Sequence, residues 1–308
     1  MAGIVVKPRA RIFHGHEWVY ASEIKKSFGN PAPGDVISLK DFKDRPLGSA
    51  IYNPASQIVA RRFSRRKQPL DKAFFARRIE RALSHRQDLS QINPELCRIV
   101  WSESDGLPGV VIDRYGEYLV LQTLTLGMSQ RVDMISAAMS ELFAPKGIIL
   151  RNDSPMRAAE GLESETKLIY GELPSEQTLE VNGISFTIDL MGGQKTGLYL
   201  DQLSNYMKVA EYARERRVLD CFTNQGGFAL HCAAAGAATV IGVDSSSPAI
   251  ASAQLNAEKS GLNSVQWIEA NVFDDLKTRE ANNEQFDVII LDPPSFTRNK
   301  RSLKDALR

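Results

Sequence analysis

The sequence has little cysteine, little histidine and no long apolar run. Its three cysteines, Cys97, Cys221 and Cys232, show no metal-ligand spacing, which fits a reducing cytoplasm and argues against a disulfide framework. Only His14 and His16 lie close together among the histidines, so no zinc site is expected. The apolar runs are too short for a membrane span or a signal peptide. These absences favour a cytoplasmic globular protein that does not contact a membrane.

The charge is divided unevenly along the chain. The net charge is +1, but residues 1–90 hold 18 Lys and Arg against 8 Asp and Glu, whereas the remainder holds 20 against 29. A basic module joined to a more acidic body favours contact with a polyanion, although an unevenly charged solvated surface gives the same pattern. The length of 308 residues predicts two or three domains.

Four regions follow from the patterning. Residues 1–68 read as short strands between turns, which is typical of a small β-barrel. Residues 69–95 predict an arginine-rich linker helix. Residues 96–190 predict a small α+β domain that ends in a hairpin, because Asn182-Gly183 suits a type I′ turn. Residues 191–308 form the last region.

Strands and helices alternate in this last region. Residues 217–222 and 239–244 are buried-strand patterns, and Gly226 and Gly227 form a turn after the first of them. Pro248 opens a helix that stops at Gly261. Further strands are predicted at 265–269 and 286–291. Such alternation predicts an α/β, Rossmann-like parallel sheet with right-handed crossovers.

Acidic residues end three of these strands. Asp220 and Asp244 are 24 positions apart, near the spacing at which an acid grips ribose hydroxyls. The glycines do not form G-x-G-x-x-G, so a dinucleotide is less favoured than S-adenosylmethionine (SAM), which has no phosphate. The fourth strand stops at Asp292-Pro-Pro-Ser295, which puts a carboxylate at the mouth of the predicted cleft, beside the methyl donor.

The motifs together resemble those of a known family. The chain is similar to the SAM-dependent methyltransferases of the ribosomal RNA large subunit methyltransferase I type, which make 5-methylcytosine in 23S rRNA. The resemblance implies a PUA-like RNA-binding barrel, a small α+β domain and a Rossmann-like methyltransferase domain. The motifs that carry it are His16-Glu-Trp-Val-Tyr20, Ser104-Asp-Gly-Leu-Pro-Gly109, Gln194-Lys-Thr-Gly-Leu-Tyr-Leu-Asp-Gln202, Val218-Leu-Asp-Cys-Phe222 through Gly227, and Asp292-Pro-Pro-Ser-Phe296.

The same resemblance implies roles for individual residues. Asp244 would hold the ribose, Asn271 would stand where relatives place an acid against the adenine amine, and Asp292 would face the target base as the catalytic residue. The remaining residues implied to surround SAM are Lys195, Thr196, Gly197, Tyr199, Asp220, Phe222, Gly226 and Gly227. The implied partners are 23S rRNA or a ribosomal precursor and, through family likeness, a second copy of the chain.

One departure from the family concerns the nucleophile. Cytosine C5 reacts after a cysteine thiolate adds to C6, and the family keeps that cysteine beyond the fourth strand. No cysteine follows Cys232 here, and Cys221 reads best as a small buried side chain. The sequence therefore predicts a methyltransferase sheet that lacks three strands, a C-terminally truncated chain and an inactive one.

Two alternatives stay open. A base N-methyltransferase needs no cysteine, but such enzymes usually carry an aromatic residue where Ser295 stands. A noncatalytic protein that binds SAM and RNA is the other alternative. In each case the basic barrel and the arginine-rich helix would hold RNA, with Trp18 and Tyr20 available for stacking on bases.

Overall fold

The computed structural model describes residues 2–89, 93–173, 177–192 and 198–295. Backbone contacts divide the chain into two compact units. Unit 1 comprises Met1–Ser175 and Leu190–Leu200, and unit 2 comprises Glu176–Asp189 and Asp201–Arg308. Within the described ranges, no helix combines the length and the apolar character needed to cross a membrane.

Unit 1 begins with a six-stranded mixed sheet, where the sequence predicts short strands. The strands are β1 (Gly3–Val6), β2 (Trp18–Tyr20), β3 (Ile24–Phe28), β4 (Val36–Lys40), β5 (Pro46–Tyr52) and β6 (Ile58–Ser64). Their spatial order is β2-β6-β5-β4-β1-β3, in which only β1 and β4 pair in parallel. Alternation along β4 buries Ile37 and Leu39 in the core of this sheet.

The predicted linker helix is part of a core. Helix α1 (Lys72–Gln87) begins at Asp71, whose side chain accepts a hydrogen bond from Phe74 N at 2.8 Å. Its inner face is buried through Phe74, Phe75 and Ile79. A face this apolar requires a packing partner, so the segment is a structural element of unit 1 as well as a connection.

A second sheet of unit 1 follows α1. Its strands and helices are β7 (Leu96–Trp101), β8 (Val110–Tyr115), β9 (Tyr118–Thr123), α2 (Leu126–Ser129), α3 (Val132–Phe143), β10 (Gly147–Asn152) and β11 (Glu165–Gly171). The spatial order is β11-β10-β9-β8-β7, and only β9 and β10 pair in parallel. Helices α1 and α3 pack against each other, and α1 also packs against β7.

The two sheets of unit 1 share a hydrophobic cluster, which is separate from the core of the first sheet. Ile51 and Phe63, which belong to β5 and β6, lie in the same buried cluster as Phe74 of α1 and Ile112 of β8. The first 68 residues are therefore continuous with the rest of unit 1 in their packing.

A buried carboxylate links the same two sheets. Glu160 is 5% exposed and accepts hydrogen bonds from Asn53 Nδ2 at 2.9 Å and Ser56 Oγ at 2.8 Å. Arg61 Nη2 lies 3.3 Å from the same carboxylate and neutralises its charge. These donors come from the first sheet, whereas Glu160 follows β10, so the contact holds the two sheets in a fixed arrangement.

Unit 2 contains the predicted parallel sheet. Its elements are β12 (Gln177–Val181), β13 (Ile184–Ile188), α4 (Leu203–Ala210), β14 (Arg217–Cys221), α5 (Gly227–Ala234), β15 (Thr239–Asp244), α6 (Ser247–Lys259), β16 (Gln266–Glu269), α7 (Val272–Ala281) and β17 (Val288–Leu291). Strands β16-β15-β14-β17 are parallel in this order. The predicted strands and the helix that ends before Gly261 are thus confirmed.

The hairpin of β12 and β13 has the predicted turn type, but it lies in a different part of the fold from the one predicted. Asn182 and Gly183 have φ of 52° and 82°, as a type I′ turn requires. The sequence assigned this hairpin to the domain at 96–190, whereas it lies in unit 2. The reason is its contact with α6, where Thr187 N donates to Asn256 Oδ1 at 2.8 Å. Periodicity in the hairpin itself could not show this long-range contact.

Candidate functional site

Three carboxylates lie at one edge of the parallel sheet. Strand β14 is flanked by β15 and β17, and Asp220, Asp244 and Asp292 lie at or just after the carboxyl ends of these strands. This is the edge at which open α/β sheets bind ligands. The family resemblance implies that Asp220 and Asp244 contact SAM and that Asp292 faces the target base, and the charges of Asp292 and Asp244 raise the pKa of Asp220.

Asp220 is a buried acid with an incomplete set of partners. Burial raises the pKa of its carboxyl to about 7, with Asp292 and Asp244 adding to the rise. Hydrogen bonds to Oδ2 from Thr223 Oγ1 at 2.5 Å and Ala229 N at 3.1 Å act in the opposite direction. Oδ1 has no hydrogen-bond partner among the described residues. Buried polar atoms are rarely left unpaired, so this oxygen fits a ligand that brings a donor, such as the amino group or ribose hydroxyls of SAM.

The loop after β14 has an uncommon backbone. Phe222, Asn224 and Gly226 have φ of 61°, 50° and 83°. Left-handed conformations cost free energy at residues other than glycine, and asparagine adopts them more readily than most. The loop is held by Thr223 N, which donates to Val243 O at 3.0 Å.

The two glycines of this loop are required by packing within the protein. A Cβ on Gly226 would lie 2.7 Å from the Trp267 ring, and one on Gly227 would lie 2.4 Å from the Tyr206 ring. The family resemblance attributes both glycines to the surroundings of SAM. The structure gives a different reason, because the space beside each Cα is filled by an aromatic side chain of unit 2.

Asp244 joins two loops at this edge. Its Oδ2 accepts from Asn224 N at 3.0 Å and its Oδ1 accepts from Ser246 N at 2.9 Å. Each carboxylate oxygen retains a further lone pair, so both can still accept from a ribose hydroxyl. The predicted ribose contact is compatible with this geometry and stays a prediction.

Asn271 has a structural task that the sequence did not show. It precedes α7 as the N-cap, and its Oδ1 accepts from Phe273 N at 3.0 Å and Asp274 N at 3.4 Å. The predicted contact with the adenine amine needs the same oxygen, both of whose lone pairs face the helix amides. That contact stays a prediction.

Asp292 is held by the segment that opens α4. Gln202 Nε2 donates to Asp292 Oδ2 at 2.9 Å, and Asn205 Nδ2 donates to Gln202 Oε1 at 2.6 Å. All three side chains are accessible to solvent. These hydrogen bonds orient an accessible carboxylate at the sheet edge. They also give a function to Gln202, the last residue of the motif that begins at Gln194.

The other predicted SAM residues divide into three groups. Phe222 lies at the sheet edge and its ring meets Phe273 edge-on at 6.0 Å between centroids. Tyr199 belongs to unit 1 and is half-buried. Lys195, Thr196 and Gly197 lie outside the described residues.

Trp267 and Phe273 are two residues of this region that the sequence reading missed. Trp267 of β16 pairs with Gly242 of β15, and its ring fills the space beside both Gly242 and Gly226. Phe273 is 51% exposed at the start of α7. Trp267 acts across strands, and pairing partners cannot be read from one segment alone.

The cysteines are buried, as predicted for Cys221. Burial raises the pKa of the thiols of Cys97 and Cys221 to about 11 and that of Cys232 to about 12. A thiolate is the nucleophilic form of cysteine, so none of the three has the character of a nucleophile near neutral pH.

The aromatic residues proposed for base stacking already have partners. Trp18 Nε1 donates to Glu103 Oε1 at 2.7 Å, and the Arg61 guanidinium lies 5.3 Å from the ring centroid. Arg11 lies 4.2 Å from the centroid of the Tyr20 ring. A base would have to displace these cations to stack on the ring faces that they occupy.

Two family models match the chain. Residues 4–65 match a PUA-like domain, and residues 155–308 match the S-adenosylmethionine-dependent methyltransferases. The predicted order of a PUA-like module followed by a Rossmann-like methyltransferase domain is therefore confirmed.

Relatives extend this likeness over nearly the whole chain. Ribosomal RNA large subunit methyltransferase I of Vibrio cholerae serotype O1 is 37% identical over 95% of this chain and 75% of its own length. The protein of the same name from Tolumonas auensis is 38% identical over the same shares. The crystal structure of SMU.776 with S-adenosylhomocysteine (SAH) is 25% identical, covers 97% of this chain and 78% of that one, and has a TM-score of 0.81. The chain therefore belongs to the ribosomal RNA large subunit methyltransferase I family, and its cofactor is SAM.

Proposed function

We propose that this protein methylates C5 of a cytosine in 23S rRNA. The observation that carries the proposal is the edge of the parallel sheet, where Asp220, Asp244 and the accessible Asp292 end adjacent strands. The name of the relatives supports a large-subunit ribosomal RNA as the substrate. Such a substrate is met in the cytoplasm, as naked 23S rRNA or as a ribosomal precursor.

Each carboxylate has a separate role in this proposal. SAM supplies a methyl group on a sulfonium centre. Asp244 accepts from the ribose hydroxyls, and Asp220 Oδ1 accepts from a donor group of the nucleoside or of its amino acid part. Asp292, oriented by Gln202, faces a base that has been turned out of its stack.

The remaining residues line the cofactor in the same proposal. Phe222 and Asn271 lie beside the strand ends, and Gly226 and Gly227 shape the loop. Lys195, Thr196, Gly197 and Tyr199 are assigned to the methionine end of SAM through the family signature. Family likeness also supports a homodimer.

Carbon methylation is favoured over nitrogen methylation by the residue after the two prolines. Enzymes that methylate exocyclic amines place an aromatic ring there to stack on the base, whereas this chain has Ser295. Attack from C5 needs a thiolate at C6, and the burial of Cys97, Cys221 and Cys232 excludes them from that role. We therefore propose that the thiolate comes from a cysteine other than these three, and that residues 1–308 supply the binding of SAM and RNA.

A comparison of two proteins tests the proposal. The chain of 308 residues and a chimaera that appends the remaining quarter of the Vibrio cholerae relative are incubated with unmodified 23S rRNA and labelled SAM. Mass spectrometry of the nucleosides is expected to find 5-methylcytidine with the chimaera and no product with the chain alone. Calorimetry is expected to find SAM binding by both.

Two outcomes would contradict the proposal. An N-methylated nucleoside from the chimaera would exclude carbon chemistry. Formation of 5-methylcytidine by the chain alone, abolished in Cys221→Ser, would show that the buried thiol is the nucleophile after all.

A further inference from the structure

A basic cleft lies in unit 1, outside the site at the strand ends. Its volume is about 1020 Å³, and its walls are the end of β6 with the residues that follow it, helix α1, and the turn after β7. Six arginines line it: Arg62, Arg65, Arg66, Arg77, Arg78 and Arg81. The cleft therefore concentrates positive charge between low-dielectric walls, which strengthens the attraction of an anion.

The acidic residues in the lining are already engaged. Glu17 pairs with Arg62 and, at 3.4 Å, with Arg65. Glu103 lies 3.0 Å from Arg61, and Asp105 lies 2.6 Å from Arg86. The three carboxylates of the cleft are thus neutralised by Arg61, Arg62, Arg65 and Arg86. Of these four arginines, Arg61 and Arg86 lie outside the lining.

Four arginines remain without a carboxylate partner in the parts of the chain that the structure describes. Arg66 follows β6, and Arg77, Arg78 and Arg81 lie on α1. Arg77 and Arg81 are exposed and four residues apart, so they lie on one face of the helix about 6 Å apart along its axis, at about 1.5 Å per residue. This is a row of cations rather than a network of ion pairs.

Arg78 is fixed at the floor of the cleft. Its Nη2 donates to Phe63 O at 3.2 Å, and its guanidinium lies 5.2 Å from the centroid of the Phe74 ring. A Cβ on Gly106 would come within 3.0 Å of Arg78 Nη1, so the side chain packs directly against that glycine. Burial lowers the pKa of Arg78, and the neighbouring charges of Arg81 and Arg77 lower it further. A bound anion would relieve this repulsion.

The cleft offers little aromatic stacking surface. Phe63 and Phe74 are 3% and 1% exposed, whereas the His85 ring in the same lining is exposed. Sites for single-stranded nucleic acid combine cations with exposed aromatic rings, whereas sites for paired RNA contact the backbone. A groove in which six arginines accompany one exposed imidazole has the chemistry of the second kind, contact with the backbone.

We propose that this cleft binds the phosphodiester backbone of a base-paired segment of RNA through Arg66, Arg77, Arg78 and Arg81. The inference rests on the proposed function, which requires an RNA substrate. It adds the place at which the RNA binds, the cleft, and the form of RNA that binds there, a base-paired segment. The paired segment is a part of the substrate distinct from the cytosine that is methylated.

Fluorescence anisotropy tests the assignment. A labelled RNA hairpin is titrated with the 308-residue chain, with Arg77→Ala/Arg81→Ala, and with the control Lys72→Ala/Arg214→Ala, which removes the same charge from outside the cleft. The cleft variant is expected to bind roughly 10- to 100-fold more weakly at about 0.1 M salt, because each lost phosphate contact removes about 0.9 from the slope of log K against log salt. The control is expected to bind like the unaltered chain.

Polyuridine with the same number of phosphates is the second probe, and it is expected to bind more weakly than the hairpin. Equal affinity of the cleft and control variants, or tighter binding of polyuridine, would overturn the assignment. Thermal unfolding and SAM binding of each variant check its fold. Weaker hairpin binding by the cleft variant, together with no 5-methylcytidine from the chimaera, would contradict the proposed function alone.

Discussion

Asp220 combines burial, an incomplete set of donors and two acidic neighbours. Its folded-state pKa of about 7 lies above the ordinary value of 3.8. Between these two pH values the folded chain keeps a proton that the unfolded chain has released. The free energy of unfolding therefore falls as the pH rises through this window and levels off above about pH 7.

Asp220→Asn is expected to remove this dependence. Asparagine has the same shape and no charge, so the variant should gain stability relative to the unaltered chain as the pH rises from about 4 to about 7, by an amount on the order of a few kcal/mol. Urea unfolding followed through Trp267, the tryptophan of unit 2, measures the difference. A difference that is constant with pH would contradict the raised pKa.

Among the elements, helix α6 connects the hairpin to the loop at the sheet edge. Asn256 is fully buried, and its Oδ1 accepts from Thr187 N while its Nδ2 donates to Gln225 O at 3.1 Å. One side chain thus supports both β13 and the loop that carries Gly226. The hairpin contributes to the position of the loop although it lies far from it in sequence.

Asn256→Ala is expected to weaken SAH binding as well as stability. Two partly buried backbone groups, Thr187 N and Gln225 O, lose their hydrogen bonds to Asn256, which costs about 0.5–1.5 kcal/mol for each bond. Calorimetric titration with SAH measures the first effect and urea unfolding the second.

Ser260→Ala is the matched control, because Ser260 Oγ accepts from Ser185 N of the hairpin at 3.0 Å. Loss of that contact should lower stability and leave SAH affinity unchanged. Equal losses of affinity in the two variants would show that Asn256 has no specific effect on the loop.

At the scale of the whole chain, the PUA-like match at 4–65 covers a sheet that has its own core and also shares a hydrophobic cluster with the later sequence. Ile51 and Phe63 are 4% and 3% exposed because α1 and the second sheet cover them. Asn53, Ser56 and Arg61 also donate to Glu160, which lies in the later sequence.

A fragment of residues 1–68 is therefore expected to remain unfolded or to aggregate, because its exposed apolar residues have no partner. A fragment of residues 1–175 retains Glu160 and the shared cluster, and it is expected to fold. Amide dispersion in two-dimensional NMR spectra distinguishes the two states. A well-dispersed spectrum from the shorter fragment would contradict this dependence on the shared cluster.

Local features of the sequence were sufficient to predict much of unit 2. The strands that end at Asp220, Asp244 and Asp292 could be predicted because each has its own apolar pattern and a polar residue at its end. The N-cap at Asn271 also depends only on adjacent residues. It was not predicted because the family resemblance assigned Asn271 to a contact with adenine.

Features that depend on distant residues could not be predicted. A single glutamate such as Glu160 is typical of an exposed surface, and only the fold brings its donors together. The same holds for Phe63 in the shared cluster and for the hairpin on α6. The arginines of α1 were visible in the sequence, but the cleft that collects them was not.

The indole of Trp267 has a consequence for how relatives of this chain diverge. A Cβ on Gly242 would lie 2.6 Å from it, and one on Gly226 would lie 2.7 Å from it. Three positions on two strands and one loop are thus mutually constrained by volume. Alanine at position 242 should survive only in lineages where position 267 has already become smaller, so these two alignment columns should change together, whereas the φ of 83° favours glycine at position 226 in every lineage.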